Sequence, residues 1–594
     1  MHIVLGPADP GTGDPGASGS ESPLWRALLV EDGRVLDSRD AAQSGLPDLV
    51  RALAAEAPRP EAIRWVWAQT ARVYPPLLAA GFEPARCWDL SLCQRILAGA
   101  AAFEHTGVEY APVVELDPTP PEPAEERVLP RVDPAQGSLF DSPATAEHSS
   151  EPTAEQLAAE LAEQLRAVAG SRHPQRLMLL LAGESQGGMI AVEMHSAGLP
   201  WRRDLHEALL ADALGPRPAD GARPARMQEL ADRIAATLQV TGVNPDSQPS
   251  LLKALHTAGI PVRTTSKWDL MAWAEEGGER VAERRALIAE LLEYKTLQRL
   301  WTANGWHWLD AWVRDGRFHA SYAVGGVVTG RWAAHGGGAM QVPATVRGAV
   351  RADPGWLLTV ADASQVEPRI LAAMSGDRAL AQAGRDGDMY LGVAELGRRA
   401  GSAVSERSRA KIALLGAMYG STTGDSGALV PHLRRLFPAA LEFVESAART
   451  GERGGLVATW LGRTSPAPSA DWQAQVADVS TAEAESRARS MTRSHGRFTR
   501  NFVIQGTAAE WALCWMGGVR RRLLAGTPDG RPLRTRMVFF VHDEIVLHGP
   551  EEEAEAIRAL VSAAASEAGR LLFGAAPVEF PLTVATVESY AEAK

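Results

Sequence analysis

Two acidic sites at the ends of apolar runs are the residues best placed to do chemistry. The first is Asp362, which follows Trp356-Leu-Leu-Thr-Val-Ala and precedes Ala363-Ser-Gln365-Val-Glu367-Pro368-Arg369. The second is Asp543, within Met537-Val-Phe-Phe-Val-His542-Asp543-Glu544-Ile-Val-Leu. Two apolar strands around three polar residues predict a hairpin with its acids at the tip. Taken alone, an acid at a strand end is more often a helix cap. If the strands bring the two together, the carboxylates repel each other unless cations lie between them. Mg²⁺ prefers oxygen ligands and keeps several waters, so few protein ligands are enough. Two such ions about 4 Å apart can activate an attacking hydroxyl and stabilise a leaving pyrophosphate.

A third segment could supply the cations that such chemistry needs. It reads Ser405-Glu-Arg407-Ser-Arg409-Ala-Lys411-Ile-Ala-Leu-Leu415-Gly-Ala-Met-Tyr419-Gly420. Ser405 is the expected N-cap and Gly420 the expected residue beyond the C-terminus. Residues 407, 411, 415 and 419 then share one face, and Arg407 to Tyr419 spans about 18 Å. That length lets two cations grip a triphosphate while an apolar residue and an aromatic meet sugar and base. Only five of the 60 basic residues are lysines, Lys253, Lys267, Lys295, Lys411 and Lys594, which singles out Lys411. An ordinary amphipathic helix with a cationic first turn is the competing reading of this segment alone.

These sites need elements to hold them. A helix is expected soon after Asp362, with Ile370, Leu371 and Met374 on its core face, and Pro368 is tolerable in its first turn. Upstream, residues 1–111 read as a small α/β unit, with a strand over Ile63 to Ala68. Residues 112–152 carry nine prolines and many acids, a composition that predicts a disordered linker or insert. Leu157, Leu161 and Leu165 predict an amphipathic helix from Ala154 to Val168. The run Leu177 to Ala182 reads as another strand. Residues 204–300 read as mostly helical, and from Trp301 onward short strands, glycine turns and long helices alternate.

Composition bounds the rest. The 594 residues favour several domains, and 45% hydrophobic residues suit a globular protein. Cys87, Cys93 and Cys514 match no zinc spacing and form no disulfide framework, so a reducing cytoplasm is expected. The N-terminus has no signal-peptide pattern, and the apolar run Leu177 to Ala182 is far too short to span a bilayer. The net charge of −12 does not exclude a polyanionic partner, because local concentration of positive charge decides. Eleven arginines and only two acids, Glu510 and Asp529, lie between Arg487 and Arg536.

In order and spacing, the three sites resemble motifs A, B and C of family A DNA polymerases, the family of bacterial DNA polymerase I. Further segments agree. Leu292-Glu-Tyr-Lys-Thr-Leu resembles the helix that ends the family's thumb. Thr329-Gly330-Arg331 with Met340-Gln341-Val-Pro343 resembles its TGR and LQNIP stretch, about one residue shorter. Arg497-Phe-Thr-Arg-Asn501-Phe-Val-Ile-Gln505-Gly506-Thr507 resembles its template- and primer-contacting helix. The resemblance runs from about residue 196 to the end. It implies an α/β multidomain protein: a degenerate, RNase H-like exonuclease domain over 1–195, then a right-hand polymerase over 196–594. The thumb would be about 196–300, the palm about 301–375 and 505–594, and the fingers about 376–504. It implies Asp362 and Asp543 as metal ligands for two Mg²⁺ ions, with Mn²⁺ able to substitute, and Glu544 as a weaker auxiliary. Arg407 and Lys411 would bind the triphosphate with Gln365 near it, and Tyr419 would pack at the templating position. Glu367 would exclude a ribose 2′-hydroxyl. Arg331, Arg497, Asn501, Gln505 and His542 would contact primer–template DNA.

The departures bear on nucleotide selection more than on metal binding. Ala363 stands where the family usually has Tyr, and Pro368 where it has a larger apolar residue. Leu415 replaces the aromatic that packs on the incoming sugar, and Tyr390 stands where His is typical. In the N-terminal part, Tyr74-Pro-Pro-Leu-Leu-Ala-Ala-Gly81-Phe-Glu83 and Trp88-Asp89-Leu-Ser-Leu resemble the family's 3′–5′ exonuclease domain. Its Asp-x-Glu and Tyr-x-x-x-Asp are missing, and Val73 replaces an Asp, so proofreading is expected to be absent. No room is seen for a 5′-nuclease domain. Gln136-Gly137-Ser-Leu139-Phe140 resembles the short peptide that holds the bacterial sliding clamp, although Gly137 departs from the usual apolar second residue. The expected protein is a monomeric, cytoplasmic, nucleoid-associated repair or gap-filling enzyme that uses dNTPs and has no membrane partner. A single-subunit RNA polymerase and a non-catalytic DNA-binding scaffold are the alternatives. Glu367 opposes the first, and intact Asp362, Asp543, Arg407 and Lys411 oppose the second.

Overall fold

The computed structural model describes residues 1–9, 24–104, 106–117, 151–219, 221–275, 281–334, 342–385, 387–420, 424–527 and 529–593. They fall into two compact units. One comprises Met1–Ala197, Ser321–Gly336 and Thr359–Ala585; the other comprises Gly198–Ala320, Gly337–Leu358 and Thr586–Lys594. The expected boundary at residues 195 and 196 lies two residues from the break at Ala197. Most of the linker, residues 118–150, lies outside the described residues, and Gln136, Leu139 and Phe140 lie with it.

The first unit begins with strands β1 (His2–Pro7), β2 (Leu24–Glu31), β3 (Arg34–Ala42), β4 (Arg64–Trp67) and β5 (Cys87–Asp89), in the spatial order β3-β2-β1-β4-β5. β1 pairs antiparallel with β2 and parallel with β4, and β4 pairs parallel with β5. Ile3, Val4 and Leu5 are fully buried, the continuous apolar run of a strand covered on both faces. Trp65 and Trp67 lie in one core with Tyr74 and Leu77. The helix Ala154–Ala169 opens with a reciprocal Thr153–Gln156 capping box, one residue longer than expected.

Leu177 to Ala182 is a correction: it lies inside the helix Pro174–Ala197. A short apolar run does not separate strand from helix by periodicity, and Leu, Met and Ala are strong helix formers without β-branching. This helix packs on β5, on the helix Thr70–Ala79 and on the 44-residue helix Ala482–Ala525.

The second unit is mostly helical over 204–300, as expected: Arg203–Leu214, Ala225–Leu238, Gln248–Thr257, Lys267–Glu275 and Val281–Asn304. Its small sheet joins β6 (Leu199–Pro200), β7 (Val313–Arg314) and β8 (Arg317–Phe318) in the order β6-β8-β7. Trp201, His206, Trp308 and Phe318 form an aromatic cluster beside it, with centroids 5.2–5.8 Å apart.

The remainder of the first unit carries the acidic sites. The short pair β9 (Tyr322–Ala323) and β10 (Ala333–Ala334) brackets the Thr329-Gly330-Arg331 turn. A second sheet joins β11 (Trp356–Ala363), β12 (Arg536–Val541), β13 (Glu544–Pro550) and β14 (Leu582–Val587) in the order β12-β13-β11-β14. Every residue of β13 is buried, as a central strand requires. The helix Ala482–Ala525 runs through residues 504 and 505, where the expected fingers and palm divide.

Candidate active site

Asp362, the expected strand end, is the penultimate residue of β11, which runs one residue further to Ala363. β12 and β13 form the expected hairpin, Val541 pairing with Glu544 across the two-residue tip His542-Asp543. His542 has φ 55°, a left-handed conformation uncommon outside glycine that suits the first position of a tight hairpin turn. The sheet order places β13 beside β11. The Ala363 N–H donates to the Asp543 carbonyl at 2.9 Å, so the strand end and the hairpin tip meet. Burial first, and then the neighbouring Asp362 charge, push the Asp543 carboxyl up to about 6, with Arg331 opposing. Two mutually repelling carboxylates with oxygen donors only are a donor set that fits Mg²⁺. Glu544 is 1% exposed and opens β13, so it is far less accessible than the two aspartates.

That raised value has a consequence for cation binding. A carboxylic acid must lose its proton to ligate a cation. Mn²⁺ affinity measured by calorimetry is therefore expected to fall as pH drops through about 6, approaching about tenfold per pH unit below that point. An affinity flat from pH 7.5 to pH 5 would contradict this coupling.

The turn after Asp362 is fixed from beneath. Gln365 has φ 59°, and its Oε1 accepts from the Met389 N–H at 2.7 Å. Arg369, fully buried, donates to the carbonyls of Ser364, Gly384 and Glu579 at 2.9–3.0 Å, and to that of Gly387. The helix Val366–Ser375 follows, with Ile370 and Leu371 in the core and Pro368 in its first turn. Glu367, the expected ribose gate, accepts from the Tyr419 hydroxyl at 2.5 Å and from the Arg331 guanidinium. Burial first, and then Glu367, push the Tyr419 phenol up to about 12.

The helix Arg407–Tyr419 has the expected length, but Glu406, not Ser405, takes the N-cap position and caps no N–H with its side chain. Gly420 ends it in the left-handed conformation, φ 72°. Arg407, Lys411 and Tyr419 are exposed and Leu415 is half-buried, in keeping with one open face. Arg407 pairs with Asp388 at 2.8 Å and lies 5.7 Å from the Tyr390 ring centroid. Tyr390 is buried, and burial first pushes its phenol up to about 12. Asp388 was not singled out from the sequence, although it is a recognisable cap before Met389 and accepts from the Leu391 N–H.

On the helix Ala482–Ala525, Arg497, Asn501 and Gln505 recur at four-residue spacing, with Arg497 exposed and the other two half-buried. The side chain of Arg497 lies against Gly420, where an added Cβ would come within 2.8 Å of its Cγ. Gln505 interacts with the Tyr419 hydroxyl. The structure thus joins the three sequence motifs and Arg331 in the first unit. Met340 and Gln341 lie outside the described residues.

Comparison with known proteins bears on this arrangement. Residues 222–589 match the profile of DNA polymerase family A. The thermostable DNA polymerase I of Thermus filiformis is 27% identical over 54% of this chain and 38% of its own length. The DNA polymerase I of Chloroflexus aurantiacus is 30% identical over 47% of this chain and 30% of its own. The chain thus spans well under half the length of these relatives. A solved structure, described as the POL domain of Pol1 from M. smegmatis in complex with DNA primer-template and dNTP, superposes with a TM-score of 0.67. It does so at 18% identity, over 100% of this chain and 96% of that one, and so supports the fold alone. With more than half of its length matching the profile, and its motifs meeting in one fold, the chain belongs to DNA polymerase family A.

Proposed function

We propose that this protein is a DNA-directed DNA polymerase that adds dNTPs to a primer 3′-hydroxyl and lacks proofreading, acting in repair or gap filling. The observation that carries the reading is the Ala363 N–H to Asp543 carbonyl bond, which brings Asp362 and Asp543 to one place. They would hold the two Mg²⁺ ions, which supply activation of the 3′-hydroxyl and neutralisation of the departing pyrophosphate. Arg407 and Lys411 bind the triphosphate; Arg407 leaves Asp388 to do so. Gln365 keeps the post-strand turn in place, Tyr390 and Leu415 flank the nucleotide, and Tyr419 covers the templating position. The Glu367 carboxylate occupies the space that a 2′-hydroxyl would need. Arg331, Arg497, Asn501, Gln505 and His542 hold the duplex. The neighbour's complex with primer-template and dNTP accords with these partners.

A dideoxy-terminated primer–template tests the assignment without chemistry. The complementary dNTP is expected to slow dissociation of the complex, and the other three dNTPs are not. Equal effects from all four would remove template direction.

The absence of proofreading is supported by residues in the first sheet. β1 offers only His2, Ile3, Val4, Leu5, Gly6 and Pro7, and Val73 is buried. Asp89, 1% exposed, is engaged by the Thr70 N–H, the Ser91 hydroxyl and the Leu92 N–H. A labelled single strand incubated with Mg²⁺ is expected to stay intact. Shortening that survives Asp362→Ala would place a nuclease centre in this chain.

We also propose that Gln136, Leu139 and Phe140 bind the sliding clamp, which would raise the effective concentration of polymerase at the primer end. Calorimetric titration with the cognate clamp is expected to show binding that Leu139→Ala/Phe140→Ala abolishes. Equal heats from both proteins would overturn it.

A further inference from the structure

The N-terminal part of the chain carries a buried acid that the proposed chemistry does not use. Glu184 lies in the helix Pro174–Ala197 and is fully buried. Its two carboxylate oxygens face two different arginines. Oε2 is 2.9 Å from Nη2 of Arg463, whose side chain is 9% exposed, and Oε1 is 3.4 Å from Nη2 of Arg95. A carboxylate without solvent is tolerable only when paired in this way.

Both arginines bear on one loop, the segment between β9 and β10. Arg95 donates to the Val324 carbonyl at 2.7 Å. Gly325 follows with φ 57°, and a Cβ there would sit 2.1 Å from Glu184 Oε1. At the other end Gly330 has φ 83°, and a Cβ there would sit 2.4 Å from Arg463 Nε. Glu184 and its two partners therefore press on both ends of the loop, which glycine alone lets approach so closely. The loop is closed by Gly330 N–H to Val327 carbonyl at 2.7 Å and Val327 N–H to Arg331 carbonyl at 3.0 Å. On its far side Gly506 lies against the Thr329 carbonyl, where a Cβ would come within 3.0 Å. The residue delivered by this turn is Arg331, whose guanidinium meets Glu367, which in turn accepts from Tyr419.

We infer that Glu184 is a positioning residue for primer–template binding. Through Arg463 and Arg95 it sets the 324–330 loop, and the loop aims Arg331. The N-terminal region thereby serves the polymerase site directly, which gives a domain proposed above to lack proofreading a function in DNA synthesis. The inference rests on the role proposed above for Arg331. Glu184→Gln keeps the side chain's shape and removes the charge that holds the two arginines.

The experiment measures primer–template Kd by anisotropy, and kcat by extension, for wild type, Glu184→Gln, Arg331→Ala and the double variant. Thermal melts establish that each is folded. Glu184→Gln is expected to weaken primer–template binding about tenfold, to change kcat by less than about twofold, and to add no further loss in the Arg331→Ala background. Arg463→Lys, which keeps a cation against Glu184 but loses the flat contact with Gly330, is expected to behave likewise and stands in if Glu184→Gln does not fold. An unchanged Kd, or a loss of the same size with and without Arg331, overturns the inference. Kd is read apart from extension, so a wild type that binds DNA without extending it would refute the proposed activity and leave this coupling measurable.

Discussion

Asp362→Ala and Asp543→Ala are each expected to lower the rate of nucleotide addition at least about 10³-fold, because cation-based charge stabilisation amounts to several kcal/mol. Primer–template binding should persist in both. The two side chains stand at a strand end and a hairpin tip that touch through Ala363 and Asp543. Of the residues assigned to the duplex, Arg331, Arg497, Asn501 and Gln505 lie on other segments, and His542, which shares the tip, is retained in both variants. Neither aspartate is needed to build the sheet: the backbone groups make the junction, and alanine retains them. Removing Asp362 also removes a charge that raises Asp543, so the remaining carboxyl should titrate lower without recovering activity. Single-turnover extension in Mg²⁺ reads the loss. Near-normal rates in either variant would sink the mechanism.

Glu367→Ala should change two quantities at once. Opening the space beside C2′ is expected to raise the kcat/KM ratio of rNTP over dNTP about tenfold or more. Glu367 also accepts charge-assisted or phenolic hydrogen bonds from Arg331 and Tyr419. Losing a hydrogen bond to a charged group costs about 1.5–3 kcal/mol, so kcat/KM for the correct dNTP should fall about tenfold to a hundredfold. A pure gate would change only the ratio, and a pure scaffold would change only the efficiency. Glu367→Gln separates them: it fills the same volume and can still meet the Tyr419 hydroxyl, so selectivity should stay closer to wild type. An unchanged ratio in Glu367→Ala would remove the gate assignment.

The site was more legible in the sequence than its supports were. Asp362 and Asp543 stood out because apolar strands ended on them, and Arg407, Lys411 and Tyr419 because four-residue spacing puts them on one helical face. What spacing does not carry is the pairing of distant segments. Asp388 holds Arg407 across 19 positions, and Glu184 reaches Arg463 across 279; no local pattern announces either. Arg369 was visible beside the motif, but its four carbonyl acceptors come from turns whose proximity only the fold creates. The misread run Leu177 to Ala182 had a similar cause. Six apolar residues carry no period of their own, and the helix around them is buried on several sides, with Leu177, Leu180, Leu181, Met189, Ile190 and Met194 all in the core. A helix covered in this way loses the polar face that would have revealed its periodicity.

The central claim is tested most directly by a primer-extension time course of the wild-type protein in Mg²⁺, run with four dNTPs and, separately, with four rNTPs. The account predicts extension to the end of the template with dNTPs and little or none with rNTPs. Equal extension with rNTPs, or a primer left unextended by both, would contradict it.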